Sequence, residues 1–175
     1  PRGDMDQEIT ALVITGTSHV GKSTLARWVG ETFGWTVLST DSLGRHPGRP
    51  WPTVRPPVAE YYAKLEADTI WFFLEVHHQN MRPRLEQVIR SQLETGEPFV
   101  LEGSALRPDT MAAFLGDGVA GLCLDASADF VLSRIRAESG HAGLEPDHRA
   151  LVDVFIERSV RDGARLSADA QEHGV

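Results

Sequence analysis

The sequence has few of the features that mark secreted, membrane or disulfide-stabilised proteins. It contains one cysteine in 175 residues, so no internal disulfide can form and a cytoplasmic setting is expected. Cys123 itself lies in an apolar run and is expected to be a buried strand residue. No apolar run approaches the roughly 20 residues that a membrane-spanning helix needs. Residues 1–8 show no signal-peptide pattern and are expected to form a disordered lead.

Positive charge is also scarce. The 17 lysines and arginines face 25 acidic residues, which gives a net charge of −8 at pH 7. Proteins that bind nucleic acid through its phosphates usually carry a basic face, so the balance argues against a polynucleotide partner. With 41% hydrophobic and 24% charged residues, a single globular domain over residues 9–175 is expected. The composition leaves a homodimer open.

Short apolar runs alternate with segments of helical periodicity. The runs predicted to be buried strands are 11–14, 35–41, 98–104 and 119–125. Helices are predicted from Lys22 to Phe33, over 59–80, from Arg84 to Thr95, over 128–139 and over 149–170, with Pro83 as a break. The pattern predicts an α/β fold, a three-layer sandwich around a central parallel sheet of four to five strands. Its strands would end at one edge, where open α/β sheets bind ligands.

One motif is highly specific. Residues 16–24 read Gly16, Thr17, Ser18, His19, Val20, Gly21, Lys22, Ser23 and Thr24, and the first eight fit G-x-x-x-x-G-K-[ST] between a strand and a helix. The glycines let backbone N–H groups curl around a phosphate, and the following helix adds its positive end. Lys22 would neutralise the β- and γ-phosphates of ATP, and Ser23 would ligate Mg²⁺. The His19 side chain is expected to point to solvent.

Two carboxylates lie at predicted strand ends. Asp41 follows the second strand, where it could accept the proton of an attacking hydroxyl or hold a Mg²⁺ water. It could also cap the following turn. Glu102 ends the third strand and could organise Mg²⁺ or bind a substrate hydroxyl, or be a simple turn residue before Gly103.

The segment 42–58 is predicted to be a substrate-side loop. It contains five prolines, which pre-order a loop, and no acidic residue occurs between Asp41 and Glu60. Arg45 and Arg49 are predicted to bind phosphate or carboxylate, with Arg55 adding to the same local positive charge. Trp51 could stack on a ring or a cation. The alternative is an exposed connector whose arginines pair with acidic helices.

Further arginines follow along the chain. Arg107 is predicted to reach the same pocket. Arg134 and Arg136 precede a glycine-containing loop, so the segment 134–149 is predicted to be a lid whose arginines stabilise charge on the transferring phosphate. The alternative is that both are solvated helix residues paired with Glu138 or Asp129. No His/Cys/Asp cluster has the spacing of a metal hydrolase, because the adjacent His77 and His78 face different directions on a helix.

Four segments, ITGTSHVGKSTLA, LSTDSLGR, VLEGSALRPD and LDASADFVLSRIRA, together resemble small P-loop kinases. The chain is similar to the group that contains chloramphenicol phosphotransferase, shikimate and gluconate kinases, zeta-toxin-type kinases and 2-phosphoglycerate-kinase-like proteins. The resemblance implies the P-loop NTPase fold, Mg·ATP as the phosphoryl donor and Asp41 as the base. It also implies that Glu102 and Arg107 lie near the acceptor and that Arg134 or Arg136 belongs to a lid.

The sequence therefore predicts an ATP-dependent kinase that acts on a hydroxyl of a small molecule, either a metabolite or an antibiotic. If the loop 42–58 binds the acceptor, its arginines favour an anionic one. Two alternatives stay open. One is a nucleotide or polynucleotide kinase, and the other is an ATP-binding regulatory module without turnover. The acceptor, and the choice between ATP and GTP, are not specified by the sequence.

Overall fold

The computed structural model describes residues 8–175, so most of the predicted lead lies outside the described residues. Its centre is a sheet of four parallel strands, in the order β2-β3-β1-β4. The strands are β1 (Ala11–Gly16), β2 (Thr36–Ser39), β3 (Phe99–Glu102) and β4 (Val119–Leu124). All four predicted strands are confirmed, and the described part of the chain adds no fifth. Cys123 lies in β4 and is half-buried.

The pairing of residues between neighbouring strands shows where the strands end relative to one another. Glu102 pairs with Ile14 on one side and with Ser39 on the other. The ends of β2 and β3 are therefore level, and β1 continues beside β4 for two more residues, to Gly16. The residues that follow each strand, including Asp41 and the glycine-rich loop, emerge at the same edge of the sheet.

Six α-helices connect and cover the strands. They are α1 (Lys22–Phe33), α2 (Pro56–Lys64), α3 (Ala67–Thr95), α4 (Pro108–Ala112), α5 (Ala128–Ser139) and α6 (Pro146–His173), with 3₁₀ turns at Thr40–Ser42 and His141–Gly143. Although α3 and α6 are long, no helix in the range 8–175 combines the length and apolar character needed to cross a membrane.

The predicted helix break at Pro83 is wrong. The helical segment is interrupted earlier, where α2 ends at Lys64. Helix α3 is 29 residues long and continues through Pro83 without a break. Pro83 lies on the exposed face of α3. The carbonyl that loses its N–H partner there can bind water instead, so the interruption costs less than it would in a buried helix.

The sheet carries helices on both faces, as the three-layer prediction requires. Val13 and Leu101 pack with Leu85 and Ile89 of α3 and with Met111 of α4. On the opposite face, Ile14 and Val100 pack with Ala26 and Val29 of α1. A third apolar cluster joins α2, α5 and α6, and it encloses Trp51 from the proline-rich loop. This third cluster fixes that loop relative to the sheet edge.

His78 makes the stability of the fold depend on pH. Its side chain is 6% exposed, and burial, with a smaller contribution from the charge of Arg107, lowers its pKa from 6.5 to about 2. Below pH 6.5 the unfolded chain takes up a proton on His78 that the folded chain does not. The free energy of unfolding should therefore fall as the pH falls, by about 2 kcal/mol at pH 5 for this one group.

Urea unfolding at pH 7 and pH 5 tests this expectation. His78→Met cannot be protonated, so its loss of stability between the two pH values should be about 2 kcal/mol smaller than that of the wild type. The exposed His173 supplies the control, and His173→Gln should retain the wild-type pH dependence. An equal loss in His78→Met and the wild type would contradict the prediction.

Candidate active site

The glycine-rich loop (residues 16–23) connects β1 to α1 and opens into a cavity of about 480 Å³. Hereafter it is called the phosphate loop. The residues of this region that line the cavity are Thr17, Ser18, His19, Gly21, Lys22, Ser23 and Thr24. Gly16 and Val20 do not line it. Gly16 lies against Leu124, and Val20 packs on the α2-α5-α6 cluster. The predicted strand–loop–helix context of the motif is present.

Lys22 lies deep in this loop. Its Nζ donates a hydrogen bond to the carbonyl oxygen of Thr17 at 2.6 Å. Burial lowers the pKa of the Lys22 ammonium, and the negative charges of Glu102, Asp41 and Asp162 act in the opposite direction. The loop therefore holds a half-buried cation that faces three carboxylates at the edge of the sheet.

Helix α6 supports the phosphate loop from the far end of the sequence. The Thr17 hydroxyl donates to the carbonyl oxygen of Ser159 at 2.6 Å. Thr17 also lies over Gly163, where an added Cβ would be 3.1 Å from Thr17 Cγ2. A glycine inside a helix costs about 1 kcal/mol relative to alanine, and the close approach of Thr17 explains its presence.

The same helix brings Arg158 and Asp162 into the cavity lining. Sequence reasoning did not identify either residue. The signal was available, because the polar residues Ser159 and Asp162 interrupt the apolar stripe that includes Phe155 and Leu166. Arg158 lies next to Ser159 in the sequence and is half-buried. Polar residues within a buried stripe need partners, which the phosphate loop and the strand edge supply here.

Asp41 is free to act in the cavity. It lies in the 3₁₀ turn after β2, and the Ser39 Oγ accepts the Asp41 backbone N–H at 3.4 Å. Ser39 therefore caps the turn. The sequence left open that the Asp41 carboxylate would be the cap, and the structure gives that role to Ser39. Both Asp41 and the buried Glu102 line the cavity together with Lys22.

Gly103 allows the ends of β2 and β3 to meet closely. Its φ is +153°, and an added Cβ would lie 1.8 Å from Thr40 Oγ1. No L-residue fits this position without displacing Thr40, which precedes Asp41. The placement of Asp41 beside Glu102 thus depends on a glycine in the neighbouring strand end.

The proline-rich loop (residues 42–58) is fixed by contacts with α2 and α6. Tyr62 Oη donates to the Gly48 carbonyl oxygen at 2.6 Å, and His148 Nε2 contacts the Pro50 carbonyl oxygen. Trp51 was predicted to stack on a substrate. It is 7% exposed and packs edge-on against Phe155, with ring centroids 4.9 Å apart, so in this conformation it anchors the loop and its ring does not face the cavity.

Glu138 at the end of α5 joins this loop to the phosphate loop. Arg49 Nη1 donates to Glu138 Oε1 at 2.6 Å, and His19 Nε2 lies 3.0 Å from Glu138 Oε2. The expectation that His19 points to solvent is wrong. Its side chain is 4% exposed and packs against both Trp51 and Phe155. Burial lowers the pKa of His19, and Glu138 opposes that shift.

Four arginines line the cavity without an ion-pair partner among residues 8–175. They are Arg45, Arg55, Arg134 and Arg158. Arg158 Nη1 donates to Tyr62 Oη at 3.2 Å, and its guanidinium lies 4.4 Å from the Phe155 ring centroid. Unpaired guanidinium groups in a concave site are suited to an anionic ligand.

Two predicted site arginines are engaged elsewhere. Arg107 Nη1 donates to Asp162 Oδ1 at 2.8 Å, and Arg136 Nη2 lies 3.7 Å from Asp153 Oδ1. Neither residue lines the cavity, because each is held by a carboxylate of α6. Arg107 acts on the site indirectly by holding Asp162.

The predicted lid, 134–149, comprises the end of α5, a 3₁₀ turn and the start of α6. His141 Nε2 lies 2.7 Å from Asp153 Oδ1, and Arg149 donates to the Leu144 carbonyl oxygen at 2.9 Å. From this segment, Arg134 and Glu138 line the cavity. The segment is thus tied to α6 in the conformation described.

No protein-family model matches the chain, and no curated protein matches it. Solved structures do resemble it. A candidate kinase from Chloroflexus aurantiacus is 17% identical, with a TM-score of 0.47, over 85% of this chain and 76% of the other. A shikimate kinase from Acinetobacter baumannii, in complex with shikimate, is 18% identical, with a TM-score of 0.44, over 91% and 81%. A gluconokinase from Sinorhizobium meliloti is 18% identical, with a TM-score of 0.44, over 95% of both chains.

Shikimate and gluconate kinases are two of the kinds of protein that the sequence motifs resemble. At these identities and TM-scores, the function of the chain has to be inferred from its own residues. What those residues provide is a phosphate loop, a carboxylate edge and unpaired arginines around one cavity.

Proposed function

We propose that the chain is a kinase that transfers the terminal phosphoryl group of ATP to a hydroxyl group of a small anionic molecule. One observation carries the proposal. A single cavity of about 480 Å³ is lined by the phosphate loop, by the Asp41 carboxylate and by four arginines that have no ion-pair partner in the described chain. This combination provides a place for the donor, a proton acceptor and a place for an anionic acceptor.

Each residue of the site has its own role in the transfer of the phosphoryl group. Lys22 neutralises charge on the β- and γ-phosphates, and Arg134 compensates charge that develops on the transferring group. As the acceptor oxygen bonds to the γ-phosphorus and the bond to ADP breaks, the hydroxyl proton passes to the Asp41 carboxylate. Glu102 binds or orients the acceptor hydroxyl from the buried end of β3.

The donor atoms present suit Mg²⁺. Ser23 Oγ and the carboxylates of Asp41 and Glu102 are hard oxygen ligands that line the same cavity. Across residues 8–175 there is no cluster of three acidic, histidine or cysteine side chains that could hold a metal alone. This fits Mg²⁺, which is usually bound through phosphates, waters and only one or two protein groups. Ser23 would be a ligand of the ion and Asp41 would hold it through water, and the bound ion would supply charge neutralisation at the phosphates.

The arginines of the proline-rich loop should determine affinity for the acceptor. Replacing Arg45, Arg49 and Arg55 together by alanine should raise the acceptor KM, because the anionic group loses its charged partners. The KM for ATP should change less. Steady-state kinetics measure both constants.

A matched control removes three exposed arginines outside the cavity, Arg27, Arg84 and Arg90. The net charge changes equally in both triple variants. An acceptor KM that rises equally in both, or in neither, would make the proline-rich loop a connector.

A mass-spectrometric phosphotransfer screen with Mg·ATP tests the proposal itself. The panel holds phosphorylated acids, sugar acids, nucleosides and hydroxylated antibiotics, and Lys22→Ala serves as the blank. A mass increase of one phosphate that is absent from the blank supports the kinase. Transfer to nucleosides alone would replace the proposal with a nucleoside kinase. ATP binding without transfer to any compound would favour a regulatory module.

A further inference from the structure

A second cavity opens beside the first. It measures about 410 Å³ and shares a wall with the main cavity, formed by Arg45, His46, Pro47, Leu74 and Arg158. We call it the side cavity. Its remaining lining comes from α2 and α3 and includes Phe73 and Val76. The two cavities are therefore adjacent, and residues of the proline-rich loop line both of them.

The side cavity differs from the main cavity in chemistry. Pro47, Phe73, Leu74 and Val76 make much of its surface apolar. Phe73 is 48% exposed, which leaves a large aromatic face open at this point. Such exposed apolar surface in a concave site marks ligand binding more often than a solitary exposed residue does.

Two imidazole rings in the lining of the side cavity carry no charge near neutral pH. His46 and His77 lie with ring centroids 5.1 Å apart. Burial, followed by the charge of Arg158, lowers the pKa of His46 to about 4, and burial likewise lowers the pKa of His77. Both rings are therefore neutral near pH 7. The cations that remain are Arg45 and Arg158, and both lie where the two cavities meet.

We infer that the side cavity binds an apolar, ring-sized group of the acceptor, while Arg45 and Arg158 bind an anionic group beside it. This inference rests on the proposed function for the identity of the ligand as the phosphoryl acceptor. The volume is sufficient, because an apolar cavity of about 150 Å³ already holds benzene. The acceptor class is therefore an amphipathic hydroxy compound, and fully polar polyols would leave the apolar wall in contact with water.

Direct binding of a probe tests the side cavity without any phosphotransfer. The probe is 1-anilinonaphthalene-8-sulfonate, which combines a sulfonate with aromatic rings and fluoresces when it is shielded from water. It is titrated into the full chain and four variants. Val76→Asp and Phe73→Ser should each raise its Kd at least about tenfold, because each removes apolar contact area. Lys64→Ala, which removes an exposed cation outside both cavities, should bind the probe as the wild type does.

Phe72 provides the matched control. It is the neighbour of Phe73 on α3 and is also exposed, yet it does not line the side cavity. Phe72→Ser should leave the probe Kd unchanged. The inference is overturned if the wild type does not bind the probe, or if Phe73→Ser and Phe72→Ser have the same effect. Because Phe73 is half-exposed, its variant should fold even where Val76→Asp does not.

Two matched acids then separate the contribution of the ring to binding from the contribution of the charge. Lactate and 3-phenyllactate carry the same hydroxy acid group and differ by a phenyl ring. The inference predicts that 3-phenyllactate displaces the probe at a concentration at least about tenfold lower. Equal potency would overturn it.

The phosphotransfer screen distinguishes failure of this inference from failure of the proposed function. If the probe results hold but no compound is phosphorylated, the side cavity stands and the kinase proposal fails. If compounds are phosphorylated but those with rings gain nothing over those without, and Phe73→Ser is as active as the wild type, the kinase stands and the side-cavity inference fails.

Discussion

Replacing Lys22 by alanine should lower phosphotransfer by at least about 10³-fold and weaken ATP binding. The Lys22 ammonium is half-buried in the phosphate loop, and residues 16–23 contain no other lysine or arginine. Without it, the β- and γ-phosphates would face the carboxylates of Asp41, Glu102 and Asp162 without the ammonium of the phosphate loop to offset their repulsion. ATP titration calorimetry and the rate of phosphoryl transfer measure the two effects separately.

The chain offers a close control for this change. Lys64 is the only other lysine, and it lies exposed on α2 with Glu60 as its ion-pair partner at 3.2 Å. Lys64→Ala removes the same charge from the surface, where an ion pair is worth about 1 kcal/mol or less, and should leave activity unchanged. Undiminished transfer in Lys22→Ala would show that the loop does not bind the donor phosphates in the proposed way.

Replacing Asp41 by asparagine should lower transfer by about 10²–10⁴-fold and leave the ATP Kd unchanged. Asparagine has nearly the shape of aspartate but cannot accept a proton at neutral pH. Asp68→Asn is a suitable control, because Asp68 is exposed and pairs with Arg161 outside the cavity. Single-turnover rates with saturating ATP isolate the transfer step.

Magnesium dependence separates the two roles proposed for Asp41. If Asp41 acts as the base, excess Mg²⁺ will not restore the rate of Asp41→Asn. If it chiefly holds a Mg²⁺ water, the variant will need more Mg²⁺ for half-maximal rate, and its rate will recover at saturation. Transfer at the wild-type rate without added Mg²⁺ would contradict both roles.

The sheet and the phosphate loop could be predicted because their signals are local. Each strand is a short apolar run, and the loop motif lies between a strand and a helix. The alternation itself requires a parallel sheet covered on both faces. The carboxylates at strand ends follow from the same logic, since parallel strands end at one edge. For this reason the placement of Asp41 and Glu102 in one cavity was within reach of the sequence.

The cationic side of the site could not be predicted in the same way. Whether an arginine is free or paired depends on partners from distant segments. Arg49 and Arg107 meet Glu138 and Asp162, whereas Arg45 meets no carboxylate in the described chain. The local sequence around each arginine does not show whether it has a carboxylate partner. Burial of His19 and Trp51 depends likewise on Phe155 of α6, which lies more than 100 residues further along the chain.

The contact of Thr17 with Ser159 and Gly163 has a consequence for how the molecule folds. The hydrogen bond joins residues 142 positions apart, so the phosphate loop reaches its final shape only after α6 has docked on the completed sheet. Bringing residues so far apart in the chain into contact costs conformational entropy, and this cost slows folding. Nucleotide that binds the finished loop also stabilises the docked helix. Protection of α6 amides against hydrogen exchange should therefore rise with ATP concentration, although the loop itself is more than a hundred residues away in the chain.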